Sequence, residues 1–377
     1  MVHLRFINTD RIQIKLLLVT VIYILSLNFS SAQDYKIIGM TSDLPDGSKV
    51  SIRNLDSNDP MVTTEINDNR FEFSGKVDVE PSKFIIRIPD LESTEYTFFL
   101  VDNSTVTIDV RYKKYLNHAD ITGGTIQNEQ NSYRNLIAKK KQAYDSLRKL
   151  EREAEDPDLK SEMLSKRSKI LFEIENEKEK YIKNNSNLEY AAYLIDDWKM
   201  NKPNSEVQIL YNGLSDRVKD SKYGKNIERY LALSQEMTEG AQLKNFTLKD
   251  LDGNPVDLEF FREKYVYLDF WASWCGPCRK QHPELRKLYQ EYKEKGFEIV
   301  SVSIDSDDSK WREAVEKDKL TWTNLIDYKG LDGDVAISYK VSAVPISYLI
   351  DPNGKLISRY FNGRHDLKQK LANLLAD

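Results

Sequence analysis

Cys275 and Cys278 are the only cysteines in this chain of 377 residues, and only Gly276 and Pro277 separate them. A bridge across so short a span closes almost no loop, so it hardly constrains the unfolded chain and explains stability poorly. Chemistry explains it better. A zinc site needs four ligands, and the chain offers no third cysteine and only four scattered histidines: His3, His118, His282 and His365. Covalent haem attachment needs a histidine directly after the second cysteine, where Arg279 stands. Dithiol–disulfide exchange fits. The thiolate attacks a disulfide, and a second thiol two residues away collapses the mixed disulfide into an internal bridge.

Two elements must position that pair. Tyr265–Trp271 is a near-continuous apolar run and predicts a buried strand. Residues 277–293 carry a helical pattern, so the cysteines sit where a strand hands over to a helix start. Unpaired N–H groups and the partial positive charge of a helix N-terminus favour a negative sulfur. Cys275, at the very start, is expected to be the exposed attacker. Cys278, one turn inside, is expected to be the resolving thiol.

The rest of the C-terminal part, 241–377, reads as α/β. Strands are predicted at 245–248 and 297–304 and a helix at 310–316. A hairpin is predicted from 346–350 and 356–360 around Asp351-Pro352-Asn353-Gly354, with a closing helix at 366–375. This order gives a central sheet covered by helices on both faces. Residues 33–125 show short apolar alternations separated by turn residues, which predicts six to eight strands in a small antiparallel sandwich or barrel. Thr122-Gly123-Gly124-Thr125 closes that block as a turn, because the Lys-Ser/Thr of a phosphate loop is missing. In 126–240 Gly and Pro nearly vanish. Long helices are predicted at 128–155 and 158–183, broken at Asp156-Pro157-Asp158, with shorter ones at 188–198, 205–211 and 225–237.

Residues 1–32 have the pattern of an export signal. Arg5, Arg11 and Lys15 precede an apolar run, 16–27, too short to span a bilayer, and Ser30 and Ala32 suit cleavage after Ala32. The expected compartment is the periplasm or another exported location. Hydrophobic residues make up 40% of the chain, enough for a core and too many for a disordered segment. Fifty-five basic and 60 acidic residues leave a net charge of −5, which does not suit a nucleic-acid binder. No cofactor and no metal are expected.

The run Asp269-Phe270-Trp271-Ala272-Ser273-Trp274-Cys275-Gly276-Pro277-Cys278 resembles the active-site segment of the thioredoxin family, and the wider stretch from Asn245 resembles its exported TlpA/ResA-type branch. The resemblance covers about 241–377. Residues 33–240 resemble, more weakly, an uncharacterised β-rich domain and helical segment that precede such modules. The resemblance implies a thioredoxin-like fold and a redox-active disulfide between Cys275 and Cys278. It implies that Asp269 lies buried beneath the disulfide and assists proton transfer at Cys278. It implies that Val344-Pro345 is a cis-proline pair whose backbone meets an extended substrate, and that Trp274 shields the edge of the site. Two departures stand out. Ser301 falls where thioredoxins carry a lysine that pairs with the buried acid. The 40 residues from Asp305 to Pro345 exceed the minimal thioredoxin and leave room for an extra helix and strand.

The function expected from these readings is an exported thiol–disulfide oxidoreductase, a reductase of protein disulfides. Its substrates would include apocytochrome c or damaged envelope thiols, and a membrane donor of the DsbD or CcdA type would keep it reduced. Two alternatives follow. A peroxiredoxin-like peroxidase would need a Thr shortly before the attacking cysteine, where Trp271-Ala272-Ser273-Trp274 stands instead. A scaffold protein would use 33–240 to hold a partner and the thiols only secondarily.

Overall fold

The structure, a computed structural model, describes residues 35–376 apart from 43, 58, 79, 90–95, 112–118 and 362–365. The export signal expected over 1–32 therefore lies outside the described residues, as do His118 and His365. The chain forms two compact units, the first ending at Glu179 and the second running from Lys180 to Asp377.

In the first unit eight strands build two four-stranded sheets: β1 (Tyr35–Met40), β2 (Lys49–Asn54), β3 (Val62–Glu65), β4 (Arg70–Gly75), β5 (Ser82–Arg87), β6 (Thr97–Val101), β7 (Thr105–Asp109) and β8 (Asp120–Thr122). The sheet orders are β4-β1-β7-β8 and β3-β2-β5-β6. All pairings are antiparallel except β1 with β7. The alternation along each strand turns one face inward. Ile37, Ile52, Phe71, Ile86, Phe99 and Ile108 from the two sheets meet in one core. The Gly123-Gly124 turn has φ of 96° and 73°. A Cβ at Gly123 would lie 2.2 Å from the Thr105 carbonyl oxygen, which explains the glycine without any phosphate. Past this turn the helices α1 (Thr125–Glu153) and α2 (Pro157–Asn184) pair as an antiparallel hairpin, tied by Arg167 to Glu151 and by Lys140 to Glu177 at 3.9 Å. Pro157 opens α2, where its missing N–H costs nothing.

The second unit begins within α2. It contains α3 (Glu189–Trp198), α4 (Asn204–Asn212), α5 (Asp216–Lys219) and α6 (Lys222–Leu233). The boundary expected at 240 falls between these helices and the first strand of the α/β part. In the structure the later helices share a unit with the α/β sheet. The segment leaving α6 is bonded to that sheet's surroundings: the Gln235 amide donates to Ser338 O at 3.3 Å, and Gln235 Oε1 accepts from the Lys244 amide at 2.8 Å.

The sheet has seven strands: β9 (Thr247–Asp250), β10 (Pro255–Asp257), β11 (Tyr265–Trp271), β12 (Phe297–Ser303), β13 (Thr323–Ile326), β14 (Ile346–Ile350) and β15 (Leu356–Phe361). Their order is β10-β9-β13-β12-β11-β14-β15. The central β11, β12 and β13 run parallel, and β14 pairs antiparallel with β11. Both faces of β11 and β12 are covered, which is why these strands read as continuous apolar runs. The helices are α7 (Gly276–Tyr292), α8 (Asp308–Lys317), α9 (Asp334–Ser338) and α10 (Leu367–Leu374). The long stretch before Pro345 thus holds α8, β13 and α9. Among the described residues no helix is long and apolar enough to cross a membrane.

Replacing Gly123 by Ala forces a side chain into a positive-φ position against backbone. We expect Gly123→Ala to destabilise the first unit by about 1–3 kcal/mol, read as a lower urea midpoint for the β-sandwich.

Candidate active site

The site forms where β11 ends. The chain leaves the sheet at Trp271, crosses Ala272-Ser273-Trp274, and enters α7 with Cys275 as its N-cap. Pro277 occupies the first turn, where its fixed φ suits a helix and its missing N–H is not needed. Cys275 and Cys278 are joined by a disulfide with Cα atoms 5.3 Å apart. Cys275 Sγ also accepts from the Cys278 amide at 3.2 Å. One of the N–H groups orphaned by the helix start therefore points at the sulfur that would carry charge after reduction.

The exposed attacker expected from the sequence is not exposed in this oxidised form. Cys275 is 4% accessible and Cys278 3%. With the bond closed, the Cys275 sulfur turns back onto the first turn of α7, so accessibility does not separate the two roles. Position along the helix does: one cysteine caps it and the other lies inside it. The surface around the pair is supplied by Trp274, 67% exposed, and by Gly276, Pro277 and Lys280, also exposed. Trp274 is thus not a core aromatic.

Asp269 lies on β11, buried, with Ser301 of β12 and Ser347 of β14 as its cross-strand neighbours. Ser347 Oγ donates to Asp269 Oδ1 at 2.9 Å. Ser301 Oγ accepts from the Trp322 indole at 2.8 Å. The position opposite the acid is therefore a hydroxyl committed to an indole, not a cation. The Val344–Pro345 bond is cis, Pro345 is buried, and Ser342 and Ala343 before it are exposed. Because Phe270 pairs with Ile346, the sheet register sets this segment beside the end of β11, from which the cysteine loop departs.

Sequence reasoning missed three residues. Asp305, buried just after β12, accepts from the Ser273 amide at 2.8 Å, from Ser273 Oγ at 2.7 Å and from Ser303 Oγ at 2.7 Å. It anchors the loop that leads to Cys275. Asp318, just past α8, accepts from Arg279 Nε at 2.9 Å and Arg279 Nη2 at 2.7 Å, and lies 2.8 Å from His282 Nδ1. Arg279 Nη1 also donates to Ser273 O at 3.3 Å, so the loop, the helix start and the α8 end are linked. Burial works to raise the Asp318 carboxyl, but the hydrogen bonds from Arg279 and His282 outweigh it and hold it below the ordinary aspartate value. His282, 1% exposed, sits four residues beyond Cys278. That spacing was legible in the sequence. The pairing of His282 with a residue 36 positions away was not.

A dithiol held at the N-terminus of a helix, fed by a buried parallel strand and flanked by a cis-proline, defines a thioredoxin-fold thiol–disulfide oxidoreductase. The family and sequence comparisons agree. Residues 238–375 match the Redoxin family, and residues 35–130 match a domain of unknown function, DUF4369. The thiol-disulfide oxidoreductase ResA of Bacillus cereus is 38% identical over 128 residues, which are 34% of this chain and 72% of the relative. ResA of Bacillus subtilis is 31% identical over 33% of this chain and 67% of its own length. The crystal structure of a thioredoxin domain of a Bacteroides vulgatus thiol-disulfide oxidoreductase aligns with 35% identity over 37% of this chain and 99% of its own, at a TM-score of 0.35. The chain belongs to the ResA-type thiol–disulfide oxidoreductases.

Two outcomes test the frame of the site. Asp305→Ala strands one buried and two part-buried donors, so we expect a loss of about 2–3 kcal/mol in the stability of the second unit, measured by denaturant titration. For Asp318 the folded value is depressed, so its contribution is complete above about pH 4, the unfolded aspartate range, and fades as pH falls through the lower folded value. The stability gap between wild type and Asp318→Asn should therefore narrow between about pH 5 and pH 2, whereas a constant gap would mean the charge is not what counts.

Proposed function

We propose that this protein is an exported reductase of protein disulfides, working in the periplasm or another compartment outside the cytoplasm. The single observation that carries the reading is the cysteine pair capping α7, with the Cys278 amide aimed at Cys275 Sγ. In this reading Cys275 is the nucleophile. Its thiolate forms against the helix N-terminus, attacks one sulfur of a substrate disulfide, and releases the other as a thiol. Cys278 then resolves the mixed disulfide and leaves the internal bridge. Asp269, buried on β11, assists proton transfer at Cys278. Trp274 and the backbone at Val344-Pro345 receive an extended stretch of substrate, in the manner of strand addition.

The reducing direction rests on the Cys-Gly-Pro-Cys sequence, which resembles that of reducing members. Export rests on the pattern of residues 1–32. A reductase outside the cytoplasm must be recharged, and a membrane dithiol donor of the DsbD or CcdA type would supply the two electrons. Apocytochrome c and damaged envelope thiols are the substrate classes this reading favours.

Trapping decides the roles. Cys278→Ala leaves no second thiol in the chain, so it should accumulate thiol-reducible adducts on Cys275, visible on non-reducing gels, while Cys275→Ala should trap few. Equal trapping by both variants would reverse or remove the assignment. The reduction potential decides the direction: a value as oxidising as about −120 mV would mark an oxidant and end the reductase reading.

A further inference from the structure

His282 is an ionisable side chain buried on the helix that carries the dithiol, and the exchange chemistry above does not use it. It follows Cys278 by four residues on α7, so the two share one helix face with Cβ atoms about 5–6 Å apart. Helical side chains lean toward the N-terminus, which tips the imidazole over the turn that holds Cys278. Its ring also stands edge-on to Trp271, with centroids 4.9 Å apart, so the sheet side is fixed as well.

Asp318 orients the ring. Its carboxylate already takes two hydrogen bonds from Arg279, and its backbone oxygen takes one from Arg286. An ionised carboxylate only accepts, so His282 Nδ1 donates to it at 2.8 Å. That places the basic lone pair of a neutral imidazole on Nε2 and stabilises the imidazolium once Nε2 takes a proton. The ring meets Asp318 beyond α8 directly; Arg279 and Arg286 on α7 meet the same Asp318, Glu313 on α8 acts through Arg279, and the nearest other acids on the site's elements are Asp269 on β11 and Asp305 at the Ser273 loop.

We propose that His282, oriented by Asp318, is the base that takes the proton of the Cys278 thiol in the resolving step. The inference rests on the roles given to Cys275 and Cys278 above and adds a second proton-handling group on the helix side, opposite Asp269. The step balances as follows. Cys278 Sγ–H gives its proton to His282 Nε2 and bonds to Cys275 Sγ. The bond from Cys275 Sγ to the substrate sulfur breaks, and its electron pair leaves with the substrate as a thiolate, which takes a proton from the imidazolium or from water. The protein dithiol loses two electrons and the substrate disulfide gains them. Asp318 is a positioning residue, since it acts only through the imidazole.

The test separates formation of the mixed disulfide from its collapse. The full chain is reduced and mixed with oxidised glutathione, and glutathionylated protein is followed by quenched flow and mass spectrometry from pH 5.5 to 9. His282→Gln can keep a donor to Asp318 but cannot hold the proton, and His282→Phe removes both abilities. For both variants we expect collapse about ten- to a hundredfold slower than wild type near pH 7. The gap should shrink toward pH 9, where a thiol of ordinary pKa, about 8.5, ionises unaided. Formation, measured in a Cys278→Ala background, should stay within about twofold. Asp318→Asn should slow collapse several-fold with the same pH trend. Collapse by His282→Gln within twofold of wild type across the range would overturn the proposal, as would a loss shared equally by formation and collapse. If wild type forms no adduct on Cys275 at all, the exchange reading itself fails and takes this inference with it.

Discussion

The Cys278 amide pointing at Cys275 Sγ is the interaction on which the rest of the site depends. It exists only because α7 begins at Cys275, and α7 begins there only because β11 delivers the chain to that point. A helix that started a turn later would leave both sulfurs in a loop, with no orphan N–H groups to favour a thiolate. Pro277 and the N-cap position of Cys275 are the local reasons for the start. The buried strand and the sheet behind it are the distant ones.

Holding a loop at that junction requires buried polar groups, and these must be fully paired or they cost more than they stabilise. Asp305 meets the condition with two donors from Ser273 and one from Ser303. Asp318 meets it with Arg279 and His282. Asp269 takes a hydroxyl from Ser347. Three carboxylates thus come from separate stretches of the chain, each held by its own partners. The acidic groups near the cysteine pair are held in place by the protein rather than left to solvent. Arg279, which touches both Asp318 and Ser273 O, ties the helix start to the cysteine loop.

The departure at Ser301 alters the electrostatics beneath the disulfide. Where a cation would stand opposite Asp269, the structure has a hydroxyl engaged by Trp322. Asp269 then has the Ser347 hydroxyl as a partner, and the helix face one turn past Cys278 adds a second ionisable group, the His282 imidazole. The long stretch between Asp305 and Pro345 bears on this directly, because α8 leads into Asp318. An insertion that looks peripheral in the sequence supplies the ring's partner.

Local pattern carried much of this protein by itself. Cys275, Gly276, Pro277 and Cys278, the apolar run of β11 and the helix after it named the chemistry. The strands with alternating burial and the break at Pro157 were legible because each depends on neighbours within one element. Asp269 and the Val344–Pro345 pair were reachable through resemblance. What stayed hidden is what depends on residues far apart in the chain. No periodicity links Asp305 to Ser273, 32 positions away, or Asp318 to His282, 36 positions away. The parallel register of β11, β12 and β13 and the return of the chain after α8 bring them together. The burial of Cys275 in the oxidised form was hidden too, since it follows from the sulfur closing onto the first turn of α7. Sequence alone determined where a cysteine pair able to exchange disulfides lies, because that depends on residue types at short spacing; only the tertiary structure decided which charged and polar groups surround it, because buried polar groups find their partners across the fold.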